Sequence, residues 1–171
     1  MTEPSSASRE STTLVSSAWH FGHRIHLRLL AAPPTSPGTS GQREYLTHLN
    51  DGTAVALDPV DVPLYGVEPE SAADTAASLL AKERITHLVP DTICDGLRAV
   101  VGVPNFAIIA EHVLQVLTVS DAQCRDAQAL VAEQLGSVIE PSSATVLAAV
   151  LANPALFTGK RIGLILTGGN V

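Results

Sequence analysis

The sequence predicts an α/β fold with a small parallel sheet joined by helical crossovers, and three observations lead to this prediction. From about Asp51 onward, short apolar runs alternate with longer helical stretches, which is the order typical of βαβ units. The last run, residues 161–166, is almost wholly apolar, as expected for a strand that is buried on both faces. Hydrophobic residues make up 46% of the chain and aromatic residues only 4%, so the core must consist of Ala, Val, Leu and Ile. This composition suits α/β layers better than a β-sandwich.

Residues 1–46 are expected to form a disordered or poorly structured tail, and residues 47–171 to form one domain. The tail contains a Ser/Thr-rich start and a Pro/Gly/Ser/Thr linker, neither of which buries enough apolar surface to offset the entropy of ordering. It also carries His20, His23 and His26, and a helix would bring these to one face. Metal ligation there is conceivable, but no Cys or carboxylate completes the set.

The first predicted elements of the domain are a strand, a helix and two short helical pieces. The strand covers residues 63–67. The helix covers residues 71–82, with Ser71 as its N-cap. Short helical pieces follow within residues 90–100 and 105–110.

The second half of the domain is predicted to hold two strands and two longer helices, at residues 113–119, 120–135, 141–151 and 161–166. β-branched residues favour the strand at 113–119. Ser120 and Gln123 have the spacing of a capping box at the start of the next helix. Pro141 stands in the first turn of the last one, where proline is tolerated. The total is about three strands and three longer helices.

Charge and composition exclude several classes of function. A net charge of −7 argues against a nucleic-acid partner, because phosphate binding needs a basic surface. No apolar run is long enough to span a membrane, and no secretory signal follows Met1, so a cytoplasmic location is expected. Cys94 and Cys124 lack CxxC spacing and are interpreted as small buried hydrophobic residues; a disulfide between them stays open.

A glycine turn follows the last predicted strand, with Thr167, Gly168, Gly169 and Asn170 in order. Open α/β sheets place their ligand sites at the carboxyl ends of strands. The glycines would let the backbone approach a ligand, and the Thr hydroxyl and Asn amide would offer hydrogen bonds. The same four residues are also ordinary turn chemistry, so a plain tight turn is the alternative.

An acidic motif, Glu68 to Asp74, joins the first strand of the domain to its helix. The two carboxylates and the intervening carbonyl of Ala72 can converge on one point, which is the oxygen set that Mg²⁺ or Ca²⁺ prefers. The alternative is that acidic residues near a helix N-terminus are favoured by the helix dipole without any metal.

Two further stretches contain candidate residues. Glu140 stands just before the helix that begins at Pro141, where plain helix capping is the alternative to a ligand-binding role. Asp95 and Gly96 follow a predicted helix start and suit either a turn or an approach to a ligand.

Five motifs in a fixed order give a more specific indication, namely GVEPESAADTAASL, VPDTICDGL, VLTVSDAQ, VIEPSSATVLAAVL and GKRIGLILTGGNV. The series resembles the C-terminal half of the serine/threonine dehydratase and serine racemase family, from about Gly52 to Val171. Members of that family are pyridoxal-phosphate enzymes of fold type II, the tryptophan-synthase-β-like fold.

The resemblance implies roles for individual residues. The turn at 167–170 would contact pyridoxal phosphate, with the Thr167 hydroxyl on its pyridine nitrogen, and Glu140 would lie near the cofactor ring. Glu68, the carbonyl of Ala72 and Asp74 would hold a divalent cation such as Mg²⁺, Mn²⁺ or Ca²⁺. The substrate would be a small amino acid of the serine/threonine class.

The chain also lacks motifs that the family's chemistry needs. Its two lysines, Lys82 and Lys160, are not in the Ser-x-Lys-x-Arg context of the Schiff-base lysine. The glycine tetrad that cradles the cofactor phosphate and the Ser-Ser-Gly-Asn-type substrate loop are missing as well. No catalytic residue is therefore assigned, and weak cofactor affinity is expected.

These absences lead to the interpretation of a truncated homologue of the dehydratases and racemases that is inactive alone. One alternative is a non-catalytic regulator that binds a cation and forms a homodimer or pairs with a full-length paralogue. Another is a product that folds poorly, because half a parallel sheet leaves apolar faces unmatched.

Overall fold

A four-stranded parallel sheet forms the centre of the protein. The structure, a computed structural model, describes residues 19–20, 23–24, 43–47, 51–58 and 62–166. Two-residue strands β1 (Trp19–His20) and β2 (His23–Arg24) form a separate antiparallel pair, in which His20 lies opposite His23. His26 lies outside the described residues. The strands of the main sheet are β3 (Arg43–Thr47), β4 (Leu64–Pro69), β5 (Gln115–Val119) and β6 (Arg161–Leu164).

In the described part of the chain, six α-helices connect and cover these strands. They are α1 (Asp51–Leu57), α2 (Asp74–Ala81), α3 (Val103–His112), α4 (Asp121–Leu135), α5 (Pro141–Ala152) and α6 (Pro154–Phe157). Single 3₁₀ turns occur at Glu70–Ala72 and Asp95–Leu97. Within the described ranges, no helix has the length and apolar character needed to cross a membrane.

The order of the strands in the sheet is β5-β4-β3-β6, and all neighbours are parallel. The chain steps from β3 through β4 to β5 in one direction and then returns to the other side of β3 to form β6. Neighbouring strands whose connections leave in opposite directions create a switch point, and ligands of open α/β sheets bind beside the carboxyl ends of such strands. The carboxyl ends of β3 and β6 are therefore the expected ligand edge.

The two faces of the sheet carry separate apolar layers, because successive side chains of a strand point to opposite faces. Leu46, Tyr65 and Val67 belong to the larger layer, which includes residues of α4, α5 and α6. Tyr45 and Leu64 belong to a smaller layer with residues of α1 and α3. Small aliphatic side chains dominate both layers, as the composition predicts.

The α/β class, the parallel sheet and the helical crossovers are confirmed. The capping box is also confirmed: Ser120 Oγ accepts from Gln123 N–H at 3.3 Å, and Gln123 Oε1 accepts from Ser120 N–H at 2.8 Å. The assignment of Ser71 as an N-cap is wrong, because α2 begins at Asp74 and Ser71 Oγ donates to Asp91 O instead. A single 3₁₀ turn replaces the short helix expected within residues 90–100.

Strand β3 is an addition to the three strands predicted. It spans Arg43–Thr47 and so crosses the proposed boundary between tail and domain at residues 46 and 47, which stays a prediction. Its sequence, REYLT, begins with two charged residues and follows a Pro/Gly-rich linker. The structure accommodates the buried Glu44 by pairing it with Lys160, whose Nζ lies 2.7 Å from Glu44 Oε1.

Candidate functional site

The carboxyl ends of β3 and β6 lie side by side at the switch point. Ile165 N–H, just after β6, donates to Leu46 O at 3.1 Å and extends the pairing of the two strands. Ile165 and Leu166 are both buried. The predicted cofactor-binding turn follows directly, but Thr167, Gly168, Gly169 and Asn170 lie outside the described residues.

Thr47, the last residue of β3, is a polar residue at this edge that the sequence analysis did not single out. Its side chain is 1% exposed, and its Oγ1 has no hydrogen-bond partner among the described residues. A buried hydroxyl without a partner is costly, because the group has lost its water. An unsatisfied donor at the end of a strand is suited to a ligand group that reaches the same edge.

Glu68 occupies the carboxyl end of β4, one strand away from β3. Its Oε1 accepts from Thr75 N–H at 3.2 Å and its Oε2 from Ala76 N–H at 2.9 Å, so the carboxylate caps the first turn of α2. Burial raises the pKa of Glu68 to about 7; the two backbone hydrogen bonds oppose this shift and the nearby Asp74 carboxylate adds to it.

Asp74 is the first residue of α2 and is also buried. Its Oδ2 accepts from Val101 N–H at 2.7 Å, and its main-chain oxygen accepts from Ser78 Oγ at 2.5 Å. Ala72, also buried, ends the 3₁₀ turn between β4 and α2. The connection from β4 to α2 thus carries all three residues of the predicted cation site, with both carboxylates buried.

The two explanations of this acidic motif are not exclusive. Glu68 does satisfy the amino end of α2, as the explanation without a metal requires. Two buried carboxylates for which the described residues supply no positive partner nevertheless repel each other, and a bound cation would relieve that repulsion. In the described part of the chain, no three His, Cys, Asp or Glu side chains are grouped to hold a metal. The predicted cation site has only two such side chains, because its third ligand is a main-chain carbonyl.

Glu140 stands at the N-cap position of α5, and its carboxylate makes no capping hydrogen bond. Its main-chain oxygen instead accepts from Ser143 N–H and Ala144 N–H, at 3.0 and 3.1 Å. Plain side-chain capping, the alternative explanation of this residue, therefore has no support in the geometry.

Gly96 connects the Asp95–Leu97 turn to the start of α5. Its N–H donates to Ser142 Oγ at 3.1 Å, and a Cβ placed on Gly96 would lie 3.1 Å from the same oxygen. Because such a contact is tighter than a side chain normally tolerates, glycine permits this close approach. The Asp95–Gly96 segment and Glu140 therefore belong to one neighbourhood.

Neither lysine lies at the carboxyl ends of β3 and β6. Lys160 precedes the amino end of β6 and pairs with Glu44, which raises the Lys160 pKa. Lys82 follows the last residue of α2 and adopts a left-handed conformation there. In the described residues, the carboxyl ends of β3 and β6 thus carry the unpartnered hydroxyl of Thr47 and no lysine.

Comparisons with known proteins agree with this geometry. The family described as pyridoxal-phosphate dependent enzyme matches residues 48–168. The chain is 39% identical over 122 residues to the beta-hydroxyaspartate dehydratase of Paracoccus denitrificans, covering 70% of this chain and 39% of that protein. It is 41% identical over 123 residues to the serine racemase of Dictyostelium discoideum, covering 70% of this chain and 38% of that protein.

Solved structures give the same result. The chain superimposes on a maize serine racemase with a TM-score of 0.70 and 32% identity, covering 77% of this chain and 44% of that one. For a T.th. threonine deaminase the TM-score is 0.69 with 32% identity, covering 77% and 50%. The chain spans about two fifths of the length of the curated relatives named above. It belongs to the family of pyridoxal-phosphate-dependent enzymes.

Proposed function

We propose that this chain supplies the cofactor-ring wall and a cation site of a pyridoxal-phosphate enzyme that acts on hydroxy amino acids. The reaction is β-elimination, as in an ammonia-lyase, or racemisation. The placement of β3 and β6 supports this proposal, because their carboxyl ends are adjacent and residues 167–170, the predicted glycine turn, follow β6 closely in sequence. The names of the relatives support it: beta-hydroxyaspartate dehydratase and serine racemase.

The cofactor, when bound, supplies an electron sink for the negative charge that develops on the substrate α-carbon. In this proposal, Gly168 and Gly169 let the backbone approach the ring, and the Thr167 hydroxyl hydrogen-bonds its pyridine nitrogen. A neutral hydroxyl leaves that nitrogen largely unprotonated, which moderates the sink and suits β-elimination. Glu140 would lie near the ring in this proposal, and its carboxylate is left free for that role because it makes no capping hydrogen bond to α5.

We further propose that these 171 residues do not catalyse the reaction alone, because Lys82 and Lys160 are their only lysines. Lys160 is engaged by a buried carboxylate. The test combines the chain with pyridoxal phosphate and L-serine, L-threonine or 3-hydroxyaspartate. The expected result is no keto-acid release, and no lysine that carries a phosphopyridoxyl group after borohydride reduction. Keto-acid release, or a modified Lys82 or Lys160 in the mass spectrum, would contradict the proposal.

The cation site is proposed at Glu68, the Ala72 carbonyl and Asp74. Titration calorimetry with Mg²⁺, Mn²⁺ and Ca²⁺ tests it. We expect measurable heat at millimolar cation, which is lost in Asp74→Asn and retained in Glu70→Gln, the exposed neighbour. Because Glu68 has a pKa of about 7, cation binding at neutral pH should also release protons, so the heat should vary with the ionisation enthalpy of the buffer.

Two outcomes decide the cation proposal. Absence of heat in the wild type would contradict it, and so would equal heats in Asp74→Asn and the wild type. Thermal melts of both variants serve as the folding control, because Asp74 also accepts a hydrogen bond from Val101 N–H.

A further inference from the structure

The two cysteines of the chain, 30 positions apart in sequence, face each other in the core. Cys94 lies in the loop before the Asp95–Leu97 turn and Cys124 in the first turn of α4, and their Sγ atoms are 3.9 Å apart. Both side chains are fully buried and both thiols are free. Their separation along the chain did not predict this contact.

Hydrogen bonds on one side of the pair fix the loop to the start of α4. The Asp121 carboxylate accepts from Thr92 Oγ1 at 2.5 Å and from Ile93 N–H at 3.0 Å. Thr92 Oγ1 in turn accepts from Cys94 N–H at 3.1 Å. A disulfide needs about 2 Å between its sulfur atoms, so the two must approach by roughly another 2 Å. The tethers hold the two segments close enough for that adjustment to be local.

The two thiols differ in their tendency to ionise. Contact with the Cys124 thiol lowers the pKa of Cys94, against the effects of burial and of the Asp121 and Asp95 charges. The same contact raises the pKa of Cys124, and burial adds to the rise. Because the thiolate is the reactive form of cysteine, contact with the Cys124 thiol favours Cys94 as the attacking sulfur.

We propose that Cys94 and Cys124 form a reversible disulfide in the presence of a hydroperoxide, which makes the pair a redox switch between the loop and α4. With hydrogen peroxide, the Cys94 sulfur attacks one peroxide oxygen, the O–O bond breaks, and Cys94 sulfenic acid and one water form. The Cys124 sulfur then attacks the Cys94 sulfur and displaces the second oxygen as water. Two thiols lose two electrons and two protons, and one peroxide becomes two waters.

Formation of the disulfide would change contacts at the start of α5. Gly96 is two residues from Cys94 and contacts Ser142 Oγ through its N–H. Movement of Cys94 towards Cys124 pulls Gly96 with it, and the Gly96–Ser142 hydrogen bond lengthens or breaks. If the proposed function holds, this change occurs beside Glu140. Formation of the disulfide itself is measured without cofactor or substrate, so its failure would leave the proposed function untouched.

The experiment treats the reduced 171-residue chain with hydrogen peroxide, blocks remaining thiols under denaturing conditions, and digests the protein without reduction. We expect both thiols to disappear together, with a cross-linked Cys94–Cys124 peptide in the mass spectrum that dithiothreitol abolishes. The Gly96 amide resonance should shift on oxidation and return on reduction.

Single variants test whether the two sulfurs react only as a pair. In Cys124→Ala and in Cys94→Ala the remaining buried thiol should stay alkylatable at the same peroxide dose, because the contact that lowers the Cys94 pKa is gone. A thermal melt shows whether each variant is folded. If one variant does not fold, the cross-link in the wild-type protein still tests the proposal. Two fully alkylatable thiols after treatment would overturn the proposal, as would disulfides between chains in place of the internal one.

Discussion

At the scale of single residues, Glu68 is a buried carboxylate that no positive side chain is seen to neutralise among the described residues. Two backbone N–H groups bind it, and these do not offset the loss of water, so its pKa rises to about 7. The carboxylate therefore changes its charge near neutral pH. A residue that would serve the proposed cation site is thus sensitive to both pH and cation.

The pKa of Glu68 predicts how stability depends on pH when a chelator is present. Its folded pKa of about 7 lies above the ordinary value of 4.5, so its contribution is complete below pH 4.5 and is lost as pH rises through 7. The shift corresponds to about 3 kcal/mol. Urea unfolding at several pH values should show this loss in the wild type but not in Glu68→Gln. Parallel pH profiles for the two proteins would contradict the prediction, and Glu70→Gln should resemble the wild type.

Glu44 is another buried carboxylate, and here a lysine does neutralise the charge. Its side chain is 3% exposed, Lys160 contacts Oε1, and Oε2 has no hydrogen-bond partner among the described residues. The nearby Tyr65 has its pKa raised, first by burial and then by the Glu44 charge. Removal of the lysine would leave a charge buried without a partner, which is strongly destabilising.

We therefore predict that Lys160→Met lowers the melting temperature at neutral pH. Lys82→Met is the matched control, because Lys82 is exposed and makes no ion pair within 4.0 Å among the described residues. Scanning calorimetry of the three proteins gives the comparison, and equal melting temperatures would contradict a stabilising pair.

At the scale of elements, helices α2 and α4 end in the same way with different residues. Each is followed by a residue in the left-handed conformation: Lys82 with φ 56° after α2, and Gly136 with φ 60° after α4. Glycine adopts this conformation without strain, whereas a residue with a Cβ does not. The end of α2 therefore holds backbone strain that the end of α4 lacks.

This contrast predicts opposite effects of two substitutions. Lys82→Gly should raise the free energy of unfolding by about 1 kcal/mol, and Gly136→Ala should lower it by about 1 kcal/mol. No atom lies within 4 Å of a Cβ added at Gly136, so its cost arises from the backbone alone. Lys82→Ala separates the loss of charge from the relief of strain and should leave stability nearly unchanged. Urea titrations measure all three, and destabilisation by Lys82→Gly would contradict the explanation.

The elements that the sequence predicted well are those specified by neighbouring residues. The start of α4 depends on Ser120 and Gln123, three positions apart, and both bonds of that capping box form. The start of α2 depends on Glu68, which reaches forward to Thr75 and Ala76 from the preceding strand. Local spacing favoured Ser71 as the cap. Sequence spacing alone does not reveal that a carboxylate from the preceding strand reaches the first turn of the helix.

Strand β3 and the residues near it could not be predicted locally, because their contacts involve residues far along the chain. Glu44 is acceptable in a buried strand only because Lys160 pairs with it, and no local pattern contains both. Thr47 was missed with the strand that carries it, and a pairing of Cys94 with Cys124 was left open but not predicted, for the same reason. The motif residues Glu68, Ala72, Asp74 and Glu140 could be singled out in advance, and their roles stay predictions.

At the scale of the whole molecule, the sheet has two inner and two outer strands. β4 pairs with β3 and β5, and β3 pairs with β4 and β6, whereas β5 and β6 each have one partner in the described sheet. Every residue of β4 is buried, whereas Gln115 and Thr118 of β5 are exposed. Protection of the backbone amides from hydrogen exchange should follow this arrangement, because the inner strands open only in large-scale unfolding.

Hydrogen exchange measured by mass spectrometry should therefore be slowest in β3 and β4. Exchange in β5 and β6 should be faster, since local opening at the sheet edge exposes their amides without disrupting the centre. The loop at residues 83–90, which has no regular secondary structure, provides the fast reference. Equal protection of β6 and β4 would contradict the prediction.

The pairing of β3 with β6 also bears on how the protein assembles during synthesis. The two strands are far apart in sequence, so β3 has its β4 neighbour early but receives β6 only after β5 and helices α1 to α6 have been synthesised. Until then one edge of β3 offers unpaired backbone groups to any other strand nearby. A contact so distant in sequence closes slowly. The nascent chain is thus most prone to pair with another chain during the interval between synthesis of β5 and β6.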